Sequence, residues 1–354
     1  MGNRSSSEDE GGSWLRTLKN STSTSTQDRK RLWDIQLTWD ERLILWILNK
    51  GVVPRHVALV PDGNRRYAKL NELELHSAYD VMFEKTTLMC QYMVKLGVED
   101  ISYGILSIRN FYRDASEVNA VLSAMANFYR TALCNTNSLQ RINLLVSTIG
   151  DMNMHPEELQ SDMAQVEIVT ANEGWTRKCR LFSAYTSRSE LTKVIVHMTN
   201  AVRIDFMKSE DITVELIQNM LTLSETPETE LWFRSTGRQC FVEFVVFQSG
   251  YSYMHIEPQL WPSVGFRRFV QAILQFQLHW PHIKVVKERH QKTFSSSHDM
   301  DPHKIFRQRM FLRSLKLWRR RNIEELLSLK CTQKKKKTVV PRMIREIFKN
   351  QFCS

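Results

Sequence analysis

The chain alternates between two kinds of hydrophobic pattern. His56-Val57-Ala58-Leu59-Val60 is a short, almost unbroken apolar run, which predicts a strand buried on both faces, followed at once by a glycine turn and a helix from about Arg65. Similar runs predict strands at Asp100–Leu106, Ile142–Ile149, Arg180–Tyr185, Leu231–Phe233 and Tyr251–Ile256. Between them, apolar residues recur at three- and four-residue spacing over Tyr79–Leu96, Ala115–Leu133, Ser187–Asp205 and Gly265–Leu278, the period of helices with one buried face. Strands alternating with helices predict an α/β fold with a mostly parallel central sheet flanked by helices. Residues 51–283 carry this pattern and form the expected body of the fold.

The ends read differently. Residues 1–30 are rich in Ser, Thr, Asn and acids, a composition that predicts disorder. Over residues 31–50, Trp39, Leu43, Trp46 and Ile47 fall at helical spacing, so an amphipathic helix is expected, either docked on the body or lying in a membrane interface. Residues 284–354 form a basic tail, helical in pattern over Leu312–Leu329 and followed by the run Lys334–Lys337. From Asp301 onward the tail holds 16 Lys and Arg against Asp301, Glu324, Glu325 and Glu346, a surplus of 12 where the whole chain carries +11. The body is therefore nearly neutral, which argues against electrostatic nucleic-acid binding by it. The tail suits a solvated helix, or attraction to an anionic membrane surface.

Composition adds limits. At 354 residues and 42% hydrophobic, the chain can bury a large core, yet no apolar run approaches the roughly 20 residues of a membrane-spanning helix. The N-terminus lacks the apolar core of a secretory signal; Met1-Gly2-Asn3-Arg4-Ser5-Ser6 fits the loose myristoylation pattern. Six scattered cysteines without a Cys-x-x-Cys pair argue against a zinc site or disulfide framework and suit a reducing compartment.

The candidate chemistry gathers where the first strand ends, at Pro61-Asp62-Gly63-Asn64-Arg65-Arg66-Tyr67. A helix start offers free N–H donors and a positive dipole, and two guanidiniums add forked donors for phosphate oxygens. Asp62 would repel such a phosphate unless a magnesium ion lay between them. The same residues also fit a helix-capping aspartate with two arginines in solvent.

This stretch, from Pro54 to Lys69, resembles the first block of the cis-prenyltransferases, the undecaprenyl and dehydrodolichyl diphosphate synthases. Further segments are similar in order and spacing: Ser107-Ile108-Arg109-Asn110-Phe111-Tyr112-Arg113, Arg234-Ser235-Thr236-Gly237 and Trp261-Pro262. Leu37–Arg42, Ala184–Arg188 and Ala272–Gln277 resemble the eukaryotic catalytic subunit. The resemblance spans about Trp39 to His279 and implies a fold whose helices enclose an apolar tunnel, lined by the Tyr79–Leu96 and Ala115–Leu133 helices.

The resemblance also implies an activity: repeated cis addition of isopentenyl diphosphate to an allylic diphosphate such as farnesyl diphosphate, making a long polyprenyl diphosphate for dolichol synthesis and glycosylation. Carried over by position, Asp62 would hold magnesium and Gly63, Arg65 and Arg66 the allylic diphosphate, with Asn64 at the reacting centre. His76, Ser107, Asn110, Phe111 and Arg113 would line the same site, and Arg234 would bind isopentenyl diphosphate. The eukaryotic relatives imply a Nogo-B-receptor-like subunit or a homodimer as partner, and work at the cytoplasmic face of the endoplasmic reticulum membrane.

The sequence departs from the family where the late block ordinarily continues with Glu, Arg and Ser. Arg238, Cys240 and Val242 stand there. Glu72 replaces an early arginine, and Arg109 replaces the acid before Asn110. In an extended segment Arg238 would face the same way as Cys240 and could supply the missing guanidinium. A catalytically impaired paralogue serving as a binding or regulatory subunit is the alternative expectation.

Overall fold

A computed structural model describes residues 37–171, 175–221, 228–295 and 301–328. The expectations for residues 1–36 and for Lys334–Lys337 lie outside the described residues. In chain order the elements are α1 (Trp39–Leu48), β1 (His56–Val60), α2 (Asn64–Leu70), α3 (Leu75–Leu96) and β2 (Asp100–Ser107). Then come α4 (Ala115–Cys134), α5 (Thr136–Arg141), β3 (Leu144–Ile149), α6 (Glu157–Thr170), β4 (Arg177–Tyr185) and α7 (Ser187–Arg203). The series closes with α8 (Val214–Leu221), β5 (Leu231–Arg234), β6 (Tyr253–Ile256), α9 (Phe266–Ser295) and α10 (Pro302–Ser328).

The strands form one sheet in the order β3-β4-β2-β1-β5-β6, and every pairing is parallel. All five residues of β1 are buried, as a central parallel strand covered on both faces requires. One face meets α3, α4 and α9 around Leu59, Met89, Met93, Met125, Phe233 and Phe276. The other holds a smaller cluster of Ala58, Val60, Phe182, Tyr185, Trp232 and Phe244. The chain leaves β1 toward β2 on one side and returns as β5 on the other. That reversal opens a crevice at the carboxyl ends of the strands, where ligands of such sheets bind. The register Val60↔Arg234 brings β1 and β5 to an end together, so Asp62 and Arg234 become neighbours.

α1 begins with a capping box, Thr38 accepting from Glu41 N–H while Glu41 accepts from Thr38 N–H. It docks through Leu45 and Leu48, and Gln277 of α9 donates to the Leu48 carbonyl at 2.7 Å. The four apolar residues that predicted this helix face away from the body: Trp39 is 78% exposed, Trp46 59%, and Leu43 and Ile47 are exposed with them.

The tail differs from a solvated basic helix. The expected boundary at 283/284 falls inside continuous α9. α10 packs on the body with Phe311 and Leu315 buried against Val194, Met198, Leu216 and Met220. Arg307 makes two hydrogen bonds of 2.7 Å to Asp211, and Arg319 makes two to Glu167 at 2.5 and 3.1 Å. The charges visible in the sequence thus hold the tail helix down as well as facing solvent. Among the described residues, no helix is long and apolar enough to cross a membrane.

Candidate functional site

β1 ends in Pro61, and Asp62 follows with its N–H donating to Ser235 Oγ at 2.9 Å. Gly63 then caps α2 at φ +99°, in the left-handed region that favours glycine. A Cβ there would lie 2.7 Å from Thr236 Cγ2 and 2.8 Å from Leu260 Cδ2, so the turn also needs glycine for space. The first turn of α2 carries Asn64, Arg65 and Arg66 toward the crevice. Asn64 is buried; its Nδ2 donates to the Pro61 carbonyl at 2.9 Å and to Met82 Sδ at 3.1 Å, while Oδ1 has no partner among the described residues.

Asp62 accepts from Gly63 N–H at 2.7 Å through Oδ1. Its Oδ2 accepts from Arg234 Nη2 at 2.9 Å and from Thr236 Oγ1 at 3.4 Å. Burial pushes its carboxyl up, but the Arg234 and Gly63 hydrogen bonds and the charges of Arg234 and Arg66 outweigh it, leaving the group below the usual range. The aspartate is therefore ionised at neutral pH with a lone pair free on Oδ1, more than helix capping alone requires.

Arg234 is buried. Beside its bond to Asp62, Nη1 donates to the Cys240 carbonyl and contacts Cys240 Sγ at 2.8 Å; Nε has no partner among the described residues. Ser235 fixes the approach of the two strand ends, donating to the Asp62 carbonyl at 2.9 Å. Trp261, fully buried, donates its N–H to the same carbonyl at 3.0 Å and its indole N–H to Met82 at 3.3 Å.

A second group stands at the end of β2. The Asn110 carboxamide accepts from Ser107 N–H at 2.7 Å and Ser107 Oγ at 3.0 Å, closing a capping box on a 3-10 turn that runs from Ile108 to Tyr112. Arg113 pairs with Glu117 at 2.5 Å, and Arg65 of α2 reaches the other oxygen of the same carboxylate at 3.4 Å. Glu117 therefore joins the two arginine-bearing segments, and Tyr79 lies within the field of Glu117, Arg113, Arg65 and Asp62. Phe111 stands half-buried, edge-on to His155 at 5.4 Å.

The fold thus gathers Asp62, Gly63, Asn64, Arg65, Arg66 and Arg234, and ties Arg65 to Arg113. His76, half-exposed on the first turn of α3, pairs with Asp80 at 3.1 Å. Arg238 is exposed on a loop, and Cys240 N–H donates back to its carbonyl at 3.1 Å. That tight turn corrects the extended geometry on which the pairing of Arg238 with the Cys240 position rested: residues two apart here do not face one way. Glu117 escaped the sequence reading, though its spacing of four from Arg113 was a signal. Ser235 and Thr236 were read there only as part of the late block, with no role assigned to them.

A small, wholly apolar cavity lies between α3, β1, β5 and α9, lined by Leu59, Met89, Met93, Phe233, Trp261 and Phe269. The facing sides of α3 and α4 meet in packed contact, Phe83 against Phe128 at 5.2 Å.

Comparison with known proteins matches residues 60–281 to the family described as "Putative undecaprenyl diphosphate synthase". The chain is similar to the dehydrodolichyl diphosphate synthase complex subunit of Homo sapiens, at 29% identity over 245 residues, covering 69% of this chain and 73% of that one. It is 29% identical over 224 residues to the (2E,6E)-farnesyl-diphosphate-specific ditrans,polycis-undecaprenyl-diphosphate synthase of Coxiella burnetii, covering 63% and 92%. Among solved structures, lavandulyl diphosphate synthase from Lavandula x intermedia in complex with dimethylallyl diphosphate superposes with a TM-score of 0.58 at 22% identity, covering 64% of this chain and 95% of that one. The shared architecture is the fold alone at that identity.

Proposed function

We propose a function from one premise: this chain belongs to the undecaprenyl diphosphate synthase family, the cis-prenyltransferases. It is a prenyltransferase that condenses isopentenyl diphosphate in cis onto an allylic diphosphate, building a polyprenyl diphosphate. The finer reading is elongation of farnesyl diphosphate to a long product for dolichol synthesis. The observation that carries this reading is the corner where β1 and β5 end. There an ionised aspartate, a glycine turn, two arginines at a helix start and a buried arginine from a distant segment converge.

A divalent cation fits this corner. Asp62 is a hard, ionised oxygen donor with coordination capacity left on Oδ1. Among the described residues no cluster of three or more potential ligands gathers. Magnesium suits such a place, since it is commonly held by one or two carboxylates together with substrate phosphates. When bound it would neutralise charge developing on the departing diphosphate.

The chain's own residues supply the rest. Arg65 and Arg66 offer forked donors to the allylic diphosphate. Glu117 orients Arg65 and Arg113 so that their donors are already in place when negative charge builds up. Arg234, now shared between Asp62 and Cys240, is the guanidinium set to receive isopentenyl diphosphate.

The relatives' description as complex subunits supports a partner chain here, a Nogo-B-receptor-like subunit or a second copy. The outward tryptophans of α1 support peripheral contact with a membrane, read as the cytoplasmic face of the endoplasmic reticulum. The test is incubation of purified chain with farnesyl diphosphate, labelled isopentenyl diphosphate and magnesium, with and without a partner subunit. Elongated product that disappears in Asp62→Asn supports the reading. No elongation under either condition would overturn it in favour of a silent subunit.

A further inference from the structure

Two of the places where this chain departs from the expected family pattern, Arg109 and the late block, are linked in space. Arg109 stands where relatives carry an acid, and it pairs with Glu243 at 2.9 Å. Arg188, at the start of α7, reaches the same Glu243 oxygen at 3.3 Å. Glu243 belongs to the segment 238–247 that carries Arg238, Cys240 and Val242, the three departures of the late block.

This segment is strained and held. Val242, Glu243 and Val245 have φ of +47°, +54° and +43°. Two of these are β-branched residues, for which such angles are costly and persist only where surrounding contacts enforce them. The enforcing contacts are clear. Ser187 N–H donates to the Glu243 carbonyl at 2.7 Å, and Val246 N–H donates to Ser187 Oγ at 2.9 Å. Phe244 and Val245 are buried against Phe182 and Tyr185. At the segment's other end, Cys240 holds Nη1 of Arg234 through both its carbonyl and its sulfur. The guanidinium meant for a diphosphate is thus occupied by this segment and by Asp62, and its Nε is buried without a partner.

We propose that Glu243 is a positioning residue: clamped by Arg109 and Arg188, it keeps the 238–247 segment closed over Arg234, and the second diphosphate binds as that segment turns away. This rests on the prenyltransferase reading above. Closure gives both Nη groups of Arg234 partners while no diphosphate is bound, and the backbone strain favours release once phosphate oxygens replace the Cys240 carbonyl. The clamp is a modest one, because Arg109 and Arg188 are largely exposed and such pairs are weak. It biases the segment without locking it.

Two measurements on the full chain test this. Site-resolved hydrogen exchange over 238–247, without substrate, reads closure directly through the Val246 amide that Ser187 holds. Glu243→Gln should speed this exchange by about two- to fivefold, the range that exposed ion pairs supply. The Arg109→Gln/Arg188→Gln double variant should do the same. In steady-state turnover, Glu243→Gln should lower KM for isopentenyl diphosphate by a similar factor, since the competent state is populated more often. The KM for the allylic substrate should stay unchanged. Unaltered exchange in both variants would overturn the clamp. Faster exchange with a raised or unchanged KM for isopentenyl diphosphate would overturn its role in admission. A wild-type chain that makes no product would sink the prenyltransferase reading and with it the admission role, while hydrogen exchange would still decide the clamp.

Discussion

At the scale of single residues, the corner at Asp62 is defended by geometry that a conservative change would disturb. Gly63→Ala places a methyl group 2.7 Å from Thr236 and 2.8 Å from Leu260 at a left-handed φ. The conformational penalty alone is about 1–2 kcal/mol, before any clash. Thermal unfolding should show a destabilisation of at least that size, and elongation should fall further than stability does, because Arg65 and Arg66 begin at this turn. Asp62 gives a pH signature. Its folded pKa is depressed, so its contribution to stability is complete above the unfolded value of about 3.9 and is lost as pH falls through the folded pKa. Asp62→Asn should therefore unfold more readily than wild type at pH 7, leaving Arg234 without its counter-charge, and the difference should shrink as pH drops below about 4. An unchanged difference at acid pH would mean that Asp62 contributes through something other than its charge.

At the scale of elements, α1 has two faces with separate tasks. Leu45 and Leu48 dock it, and Leu45→Ala should cost about 2–4 kcal/mol in denaturant unfolding, as buried leucines do. Trp46 and Ile47 are exposed, so replacing them with Gln should leave stability within about 0.5 kcal/mol. Sedimentation with liposomes should separate the two roles: losing Ile47's apolar contact is expected to weaken membrane binding about tenfold. Equal pelleting of the Trp46→Gln/Ile47→Gln variant and wild type would dismiss the interface role of α1. The sequence announced this helix through its tryptophans, yet the residues that anchor it are Leu45 and Leu48. Periodicity finds a helix but does not tell which apolar stripe meets the body when there are enough for two. The strands were more legible. A fully buried parallel strand reads as an unbroken apolar run, so His56–Val60 and the register-matched Leu231–Arg234 stand out. α6 was not: its buried face includes Gln160, Ser161, Asp162 and Glu167, and these polar residues blur the period; Asp162 and Glu167 find their partners Arg130 and Arg319 only in three dimensions.

At the scale of the whole molecule, charge in the sequence misled about the tail because formal charge says nothing about pairing. Asp211 and Glu167, far upstream, take up Arg307 and Arg319, and the apolar side of α10 closes a second core over α7 and α8. The site's partner relationships were hidden for the same reason: Asp62 with Arg234, Arg65 with Glu117 and Arg109 with Glu243 are all distant in sequence and meet only at the carboxyl edge of the sheet. α10 is therefore part of the folding unit, and its loss should be felt beyond itself. Phe311→Ala empties a buried position in that second core and should cost about 3–5 kcal/mol. Its effect should appear as a lower Tm for the single main transition, together with earlier proteolytic cleavage in α10. The docking also carries a pH dependence. Hydrogen bonds from Arg307 lead the influences that hold the Asp211 carboxyl below its usual range, so its contribution is present above about pH 4 and fades as acid protonates it. Proteolysis at a series of pH values should show α10 becoming susceptible on the acid side before the β1–β5 sheet core is cut. Simultaneous loss of both would mean that the tail helix and the sheet form one indivisible cooperative unit, with no local release of α10 at all.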